Sequence, residues 1–254
     1  MGESRSFRVE AIVLRHADWG EADRILVIYS RELGKLRALA KGARRIRSRK
    51  AGHLEPFTRA TLQLARGRDL LLVTQADTLE AYLPLHSELD RTGQAAYVAE
   101  LLDRFTYENE GENRAVYHLL AETLGRVAKE TDSWQALRYY EVQLLDLLGY
   151  RPQLFECANC RAVVQPQDQF FSPSAGGVLC PACGAGLPGT WPVPVEVLKY
   201  LRHFQRSDYP HARQAQPPGA VRAGVDGLLQ KYITYLLERE LNSPRILKTI
   251  IQKE

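Results

Sequence analysis

Apolar and polar positions alternate with a period near two in residues 5–82 and near 3.6 over most of the remaining chain, with the change at Pro84. Phe7 to Arg15 sets Val9, Ala11 and Val13 on one face of a strand, with Ile12 and Leu14 partly on the other. Gly20 and Asp23 mark a break, and the apolar run Arg24 to Tyr29 is too short for a helix. Glu32-Leu33-Gly34 reads as a turn, because glycine supplies the positive φ that a hairpin needs. It leads into Lys35–Lys41, where Leu36, Ala38 and Ala40 alternate with Lys35, Arg37 and Lys41. Phe57 to Leu64 alternates again, and Gly67-Arg68-Asp69 turns the chain back into Leu70–Val73 with a continuation towards Tyr82. Five short strands with no helical stretch between them to connect parallel neighbours predict a small antiparallel barrel. Strand count alone does not separate an OB-fold from an SH3-like barrel.

Beyond Pro84 the stripes are helical. Thr92 to Phe105 aligns Tyr97, Val98, Leu101, Leu102 and Phe105; the polar segment Tyr107–Asn113 is a loop; Val116, Leu119, Leu120, Thr123, Leu124 and Val127 mark a second helix. Ser133 is placed to cap a third, which carries Trp134, Leu137, Glu141, Leu144, Leu145 and Leu148 and stops at Gly149 and Pro152. Val195–Phe204 and Val221–Leu241 come next, joined through Gln214–Gly219, and Pro244–Ile251 reads as a short final helix. The pattern divides the chain into a barrel over residues 1–82, a helical domain over 83–150 and 191–254, and a cysteine-bearing insert over 151–190. The class is α+β and multidomain.

Charge changes the picture of the third strand. Gly34–Lys50 carries Lys35, Arg37, Lys41, Arg44, Arg45, Arg47, Arg49 and Lys50 and no acid, in a chain whose net charge is only +4; the remainder therefore sums to −4. Local positive charge of this density attracts phosphate, because each neutralised phosphate releases condensed counterions. A charged strand face running into a basic loop points to nucleic acid and inclines the barrel towards the OB-fold, although a solvated basic surface would have the same composition. Tyr29 and Phe57 are aromatic positions that would stack on bases if exposed and belong to the core if not.

Four cysteines, Cys157, Cys160, Cys180 and Cys183, form two C-x2-C pairs. Two residues between cysteines let both sulfurs reach one ion, and four thiolates are the tetrahedral set of a structural Zn2+ site, with no coordination position left open for water. Asn159 and Gly184 suit the tight turns of such knuckles, and Phe170-Phe171 with Gly176-Gly177 predict a short hairpin between the pairs. No βαβ context supports a redox reading.

Catalytic patterns are missing. There is no phosphate-binding lysine loop, no dinucleotide glycine fingerprint in a βαβ setting, no nucleophile elbow and no H-x-E joined to a P-C-x-x-C. The six histidines (His16, His53, His86, His118, His203 and His211) stand apart, and Glu21 with Asp23 is better read as a turn than as a carboxylate pair. No run of 18 apolar residues and no secretory signal is present, so the expected compartment is the cytoplasm.

LRHADWGEADRILVIYSRELGKLRALAKGARRIRSR resembles the N-terminal signature of the RecO family of bacterial recombination mediators, with landmarks Gly20-Glu21, Asp23-Arg24-Ile25-Leu26, Gly34-Lys35, Lys41-Gly42 and Ser48. LLGYRPQLFECANC is similar to that family's entry into its zinc module, and the Leu-rich C-terminal helix with Ser243-Pro244-Arg245 fits its ending. The resemblance implies an N-terminal OB-fold, a helical domain and a zinc module. It implies binding of single- and double-stranded DNA, annealing of complementary strands, and action with RecR to load RecA onto DNA coated by single-strand-binding protein. On that reading the protein is associated with the nucleoid and is not an enzyme. An adaptor working through its helical domain is the competing expectation.

Overall fold

The computed structural model describes residues 6–238 and Leu241. The expected helix at 244–251 and the Ser243-Pro244-Arg245 segment lie outside the described residues. The chain forms two compact units, one running to Thr131 and the other beginning at Asp132.

The first unit is built on five strands: β1 (Ser6–Trp19), β2 (Asp23–Ser30), β3 (Gly34–Ala40), β4 (Arg59–Arg66) and β5 (Leu71–Glu80). They close into a barrel in the order β1-β2-β3-β5-β4, which is the OB-fold. All pairings are antiparallel except β3 with β5, which touch in parallel only at Ala38–Leu71 and Leu39–Leu72. The alternation in the sequence is the alternation of faces. Val9, Ala11, Val13, Leu26, Ile28, Leu36, Ala38, Ala40, Leu62 and Leu64 fill the interior, and each full burial of a large apolar side chain is worth about 2 kcal/mol. Ile12 and Leu14 point the other way and are nonetheless buried, because helices lie against the outside of β1.

Three helices follow the barrel, α1 (Pro84–Ser87), α2 (Leu89–Phe105) and α3 (Arg114–Lys129), and α2 packs on β1. The Asn113 side chain caps α3 by accepting from Val116 N at 3.2 Å. The Tyr117 hydroxyl donates to Glu10 on β1 at 2.8 Å. Strand β4 begins two residues later than expected because Phe57 takes a left-handed φ of 69° and turns inward, donating its amide to Val13 O.

The second unit holds α4 (Trp134–Leu147), strands β6 (Gln169–Ser172), β7 (Gly177–Leu179) and β8 (Trp191–Val193), a one-turn α5 (Pro181–Gly184), α6 (Val195–Arg206), α7 (Tyr209–Ala212) and α8 (Gly219–Leu237). The β6–β7 hairpin and β8 make one three-stranded sheet. Phe171 of that sheet stacks on Trp191 and meets the Tyr232 ring of α8 edge-on at 5.1 Å. The carboxylate of Asp132, not the Ser133 hydroxyl, accepts the first free amide of α4, from Trp134 at 3.0 Å. Glu141, on the expected apolar stripe, is indeed fully buried, and it is paired with Arg138 at 2.8 Å. The helices expected as one domain are thus shared out: α2 and α3 coat the barrel, while α4, α6 and α8 belong with the cysteine module. Periodicity shows that a helix has an apolar face and says nothing of which partner covers it.

Candidate nucleic-acid interface and metal centre

The eight basic residues of the third strand and its loop do not form one surface. On β3, Lys35, Arg37 and Leu39 face out of the barrel. The Lys35 ammonium lies 2.5 Å from Asp103 Oδ1 and donates to the Asp103 and Thr106 carbonyls at 2.6 and 2.9 Å. Two of its three donors go to those carbonyls at the end of α2, and the Asp103 carboxylate balances its charge. With its side chain 11% exposed, Lys35 is a structural cation and leaves the candidate DNA-binding set.

Arg15 approaches the same carboxylate at 2.7 Å. Burial pushes the Asp103 carboxyl up, but the hydrogen bonds from Lys35 and Arg15 outweigh it and hold the group below the usual range. The segment after α2 continues along β3, with Asn109 N donating to Lys35 O at 3.2 Å and Glu108 lying 3.7 Å from Arg37. OB-folds bind oligonucleotides on the face of their second and third strands. Here one end of that face is covered by residues 103–113 of the same chain.

Beyond Ala40 the chain makes consecutive tight turns, with Arg45 N donating to Gly42 O and Ser48 N to Arg45 O. Gly42 has a φ of +67°, a conformation that costs a residue bearing a Cβ about 1 kcal/mol. The loop is fastened to the β1–β2 hairpin. Gly42 N donates to Asp23 Oδ1 at 2.7 Å, Arg44 N to Ala22 O at 2.9 Å, and the Arg44 guanidinium reaches Gly20 O and Asp18. Asp23 is therefore a loop anchor, as a turn residue should be. At the far end Lys50 Nζ donates to Val73 O at 2.9 Å on β5, and burial lowers its pKa. Lys50 ties the loop across the place where β3 and β5 have parted. Lys41, Arg45, Arg47 and Arg49 are exposed, Arg44 is exposed but paired, and Arg37 makes a loose pair with Glu108.

Tyr29 and Phe57 are core residues, 3% and 7% exposed, and stack on nothing outside the protein. Two exposed apolar side chains stand beside the exposed cations: Trp19, at the tip of the β1–β2 hairpin, and Ile46, in the middle of the basic loop. Sequence reasoning passed over both. A tryptophan beside a turn glycine was the available signal.

In the second unit the four cysteine sulfurs all lie within 4.8 Å of one another. Cys160 Sγ and Cys180 Sγ are 3.8 Å apart, close to the roughly 3.8 Å edge of a tetrahedron with Zn–S bonds of about 2.3 Å. The first knuckle closes with Arg161 N donating to Cys157 O, and it is Arg161, not Asn159, that takes the left-handed φ of 63°. Asn159 instead donates its side-chain amide to Cys183 Sγ at 3.4 Å, and Cys180 N donates to Cys157 Sγ at 3.3 Å. Gly184 is required for space: a Cβ there would sit 2.5 Å from Phe170 Cβ. Burial pushes the Cys157 thiol up, but backbone amides around it more than reverse this and bring it to about 6. Cys183 gains from the Asn159 bond yet rises to about 11 against its three thiol neighbours. Four thiols this close ionise together only around a cation, so the donor set fits a metal ion.

Comparison with known proteins bears on both sites. The model of the recombination protein O N-terminal domain matches residues 4–82, and that of the recombination protein O C-terminal domain matches residues 86–245. The chain belongs to the RecO family. Similar RecO relatives, each named DNA repair protein RecO, come from Roseiflexus sp., 41% identical over 98% of this chain and 87% of the relative, from Desulforudis audaxviator, 37% identical over 96% and 97%, and from Dehalococcoides mccartyi, 34% identical over 94% of both. The two RecO models meet at the end of β5, so the barrel corresponds to the first of them. Among the described residues no helix is long and apolar enough to cross a membrane.

Proposed function

We propose that this chain is a DNA-binding recombination mediator in DNA repair. Its basic loop neutralises the phosphates of single- and double-stranded DNA, it anneals complementary strands, and with RecR it promotes loading of RecA onto DNA coated by single-strand-binding protein. The observation that carries the DNA-binding part is the loop Lys41–Arg49, whose exposed cations are held on a backbone fastened to the barrel. Two strands approach only when their mutual repulsion is cancelled, and cations on a backbone already fastened do this with less ordering than a loose arm would need. The work needs no bond chemistry. Family membership supports the mediator role and a place in the nucleoid-bearing cytoplasm.

The metal is proposed to be one Zn2+ held by Cys157, Cys160, Cys180 and Cys183. It would cross-link the module and perform no reaction, because four protein thiolates complete its tetrahedron.

The test is binding of a labelled single strand across a salt series, for the native chain and a variant with Arg44, Arg45, Arg47 and Arg49 changed to alanine. Each phosphate contact contributes about 0.7 to the slope of log affinity against log salt for single strands. The variant should lose a slope of about 2–3. Equal slopes would refute the assignment of the loop.

A further inference from the structure

We propose that Trp19 is a stacking platform for an unpaired base, and that it turns a general phosphate-binding surface into one that prefers single strands. The proposal rests on the reading of the loop as a DNA site and adds a contact of different chemistry.

Trp19 ends β1, is 58% exposed, and is followed by Gly20 with a φ of +57°. A hairpin tip needs no tryptophan; small polar residues turn the chain equally well, and burying an indole elsewhere would stabilise the fold. Its place in the barrel is informative. The loops joining strands one to two and four to five flank the ligand face of an OB-fold, and Trp19 stands at the first of them.

The same hairpin grips the basic loop. Gly20 and Ala22 supply carbonyls to Arg44, Asp18 lies 3.3 Å from the Arg44 guanidinium and Asp23 accepts from Gly42. The aromatic ring and Arg44, a cation of the basic loop, therefore come from one hydrogen-bonded assembly. Asp18 is paired with both Arg24 and Arg44, so it does not present an open negative charge beside the ring. Ile46, fully exposed, is carried by the basic loop that this hairpin holds. Tyr29 and Phe57 are buried, and the Lys35 end of the β2–β3 face is covered by the chain itself.

The occupant is an unpaired nucleobase. In a duplex the faces of each base lie against neighbouring bases, so a planar side chain meets an open face only where a strand is unstacked. Every base has a π-face, which makes the contact tolerant of sequence. Stacking also leaves the Watson–Crick edge of the base unoccupied. A strand held by its phosphates on the loop and by a base face on Trp19 remains ready to pair with a second strand, which is what annealing demands.

The experiment measures affinity of the full-length native chain, Trp19→Ala and Trp19→Phe for a single-stranded oligonucleotide, the corresponding duplex and an abasic strand of equal charge. The alanine variant should bind the single strand about tenfold more weakly, within the range of about 1–3 kcal/mol per stacked base. Duplex and abasic binding should change less than twofold, the salt slope should stay that of the native chain, and the phenylalanine variant should retain most of the affinity. Equal binding of the single strand by native and alanine chains overturns the proposal. So does an equal loss on all three ligands, which would mark Trp19 as structural. Failure of the underlying loop reading appears elsewhere, as an unchanged salt slope in the four-arginine variant.

Discussion

Lys35 and Arg37 are two residues apart on one strand face, carry the same charge and are indistinguishable by pattern. The fold separates them through a carboxylate 68 residues away, because Asp103 arrives from α2 and takes the Lys35 ammonium. No local rule in the sequence announces such a partner. Lys35→Met should therefore act on stability and not on DNA. We expect a loss of about 1–3 kcal/mol in chemical denaturation, the cost of leaving a mostly buried carboxylate with one partner fewer, and an unaltered salt slope in DNA binding. Asp103 also predicts a pH dependence. Its folded pKa is depressed, so its stabilisation is fully present above the unfolded value of about 3.9 and is lost as pH falls through the lower folded value. Acid titration followed by circular dichroism should show a shallower loss of stability in Asp103→Asn than in the native chain. Glu10 and Glu55 are depressed as well and keep some slope in either protein.

Elements were legible where a single period ran long enough to identify a buried face. All five strands and the helices α2, α3, α4, α6 and α8 stand where alternation or 3.6-residue stripes put them, with ends displaced by a few residues. Local chemistry outside the stripes was less readable. Ser133 holds the N-cap position of α4 but the accepting side chain is that of Asp132, and the polar loop after α2 runs along β3. The basic stretch was visible as charge, but its division into barrel ties and exposed cations was not. That division depends on which backbone atoms lie within reach, and Asp23 is the residue that sets it at the start of the loop. Asp23→Ala removes the acceptor for Gly42 N at 2.7 Å, at a cost of about 1–2 kcal/mol. Amides of residues 42–45 should then exchange hydrogen faster, with weaker DNA binding because ordering of the loop is deferred to the bound state. Unchanged protection at those amides would show that Ala22 and the Arg44 contacts suffice to hold it.

At the scale of the molecule, the division at Thr131/Asp132 assigns the cysteine module to the helices that come after the barrel. Net charge could not reveal this, and neither could the cysteine spacing, which specifies a local cross-link and not its neighbours. The consequence is a separation of roles. The proposed DNA contacts all lie in the first unit, while the four thiols lie in the second, with the sheet whose Phe171 meets Tyr232 of α8. Small modules of this kind take much of their folding free energy from the metal. Removing the proposed ion with a chelator, or changing Cys157 to serine, should lower the melting temperature of the second unit, read through Trp134 and Trp191. The first unit should keep its fold, and the native salt slope for single-stranded DNA should survive below the melting point of the damaged half. Thermal melts with two probes, tryptophan emission and strand-rich circular dichroism, check this directly: two separated transitions after chelation support independent units. A single shifted transition, accompanied by loss of DNA binding, would mean that the cysteine module supports the barrel as well, and that the role of its metal extends to the proposed DNA-binding surface.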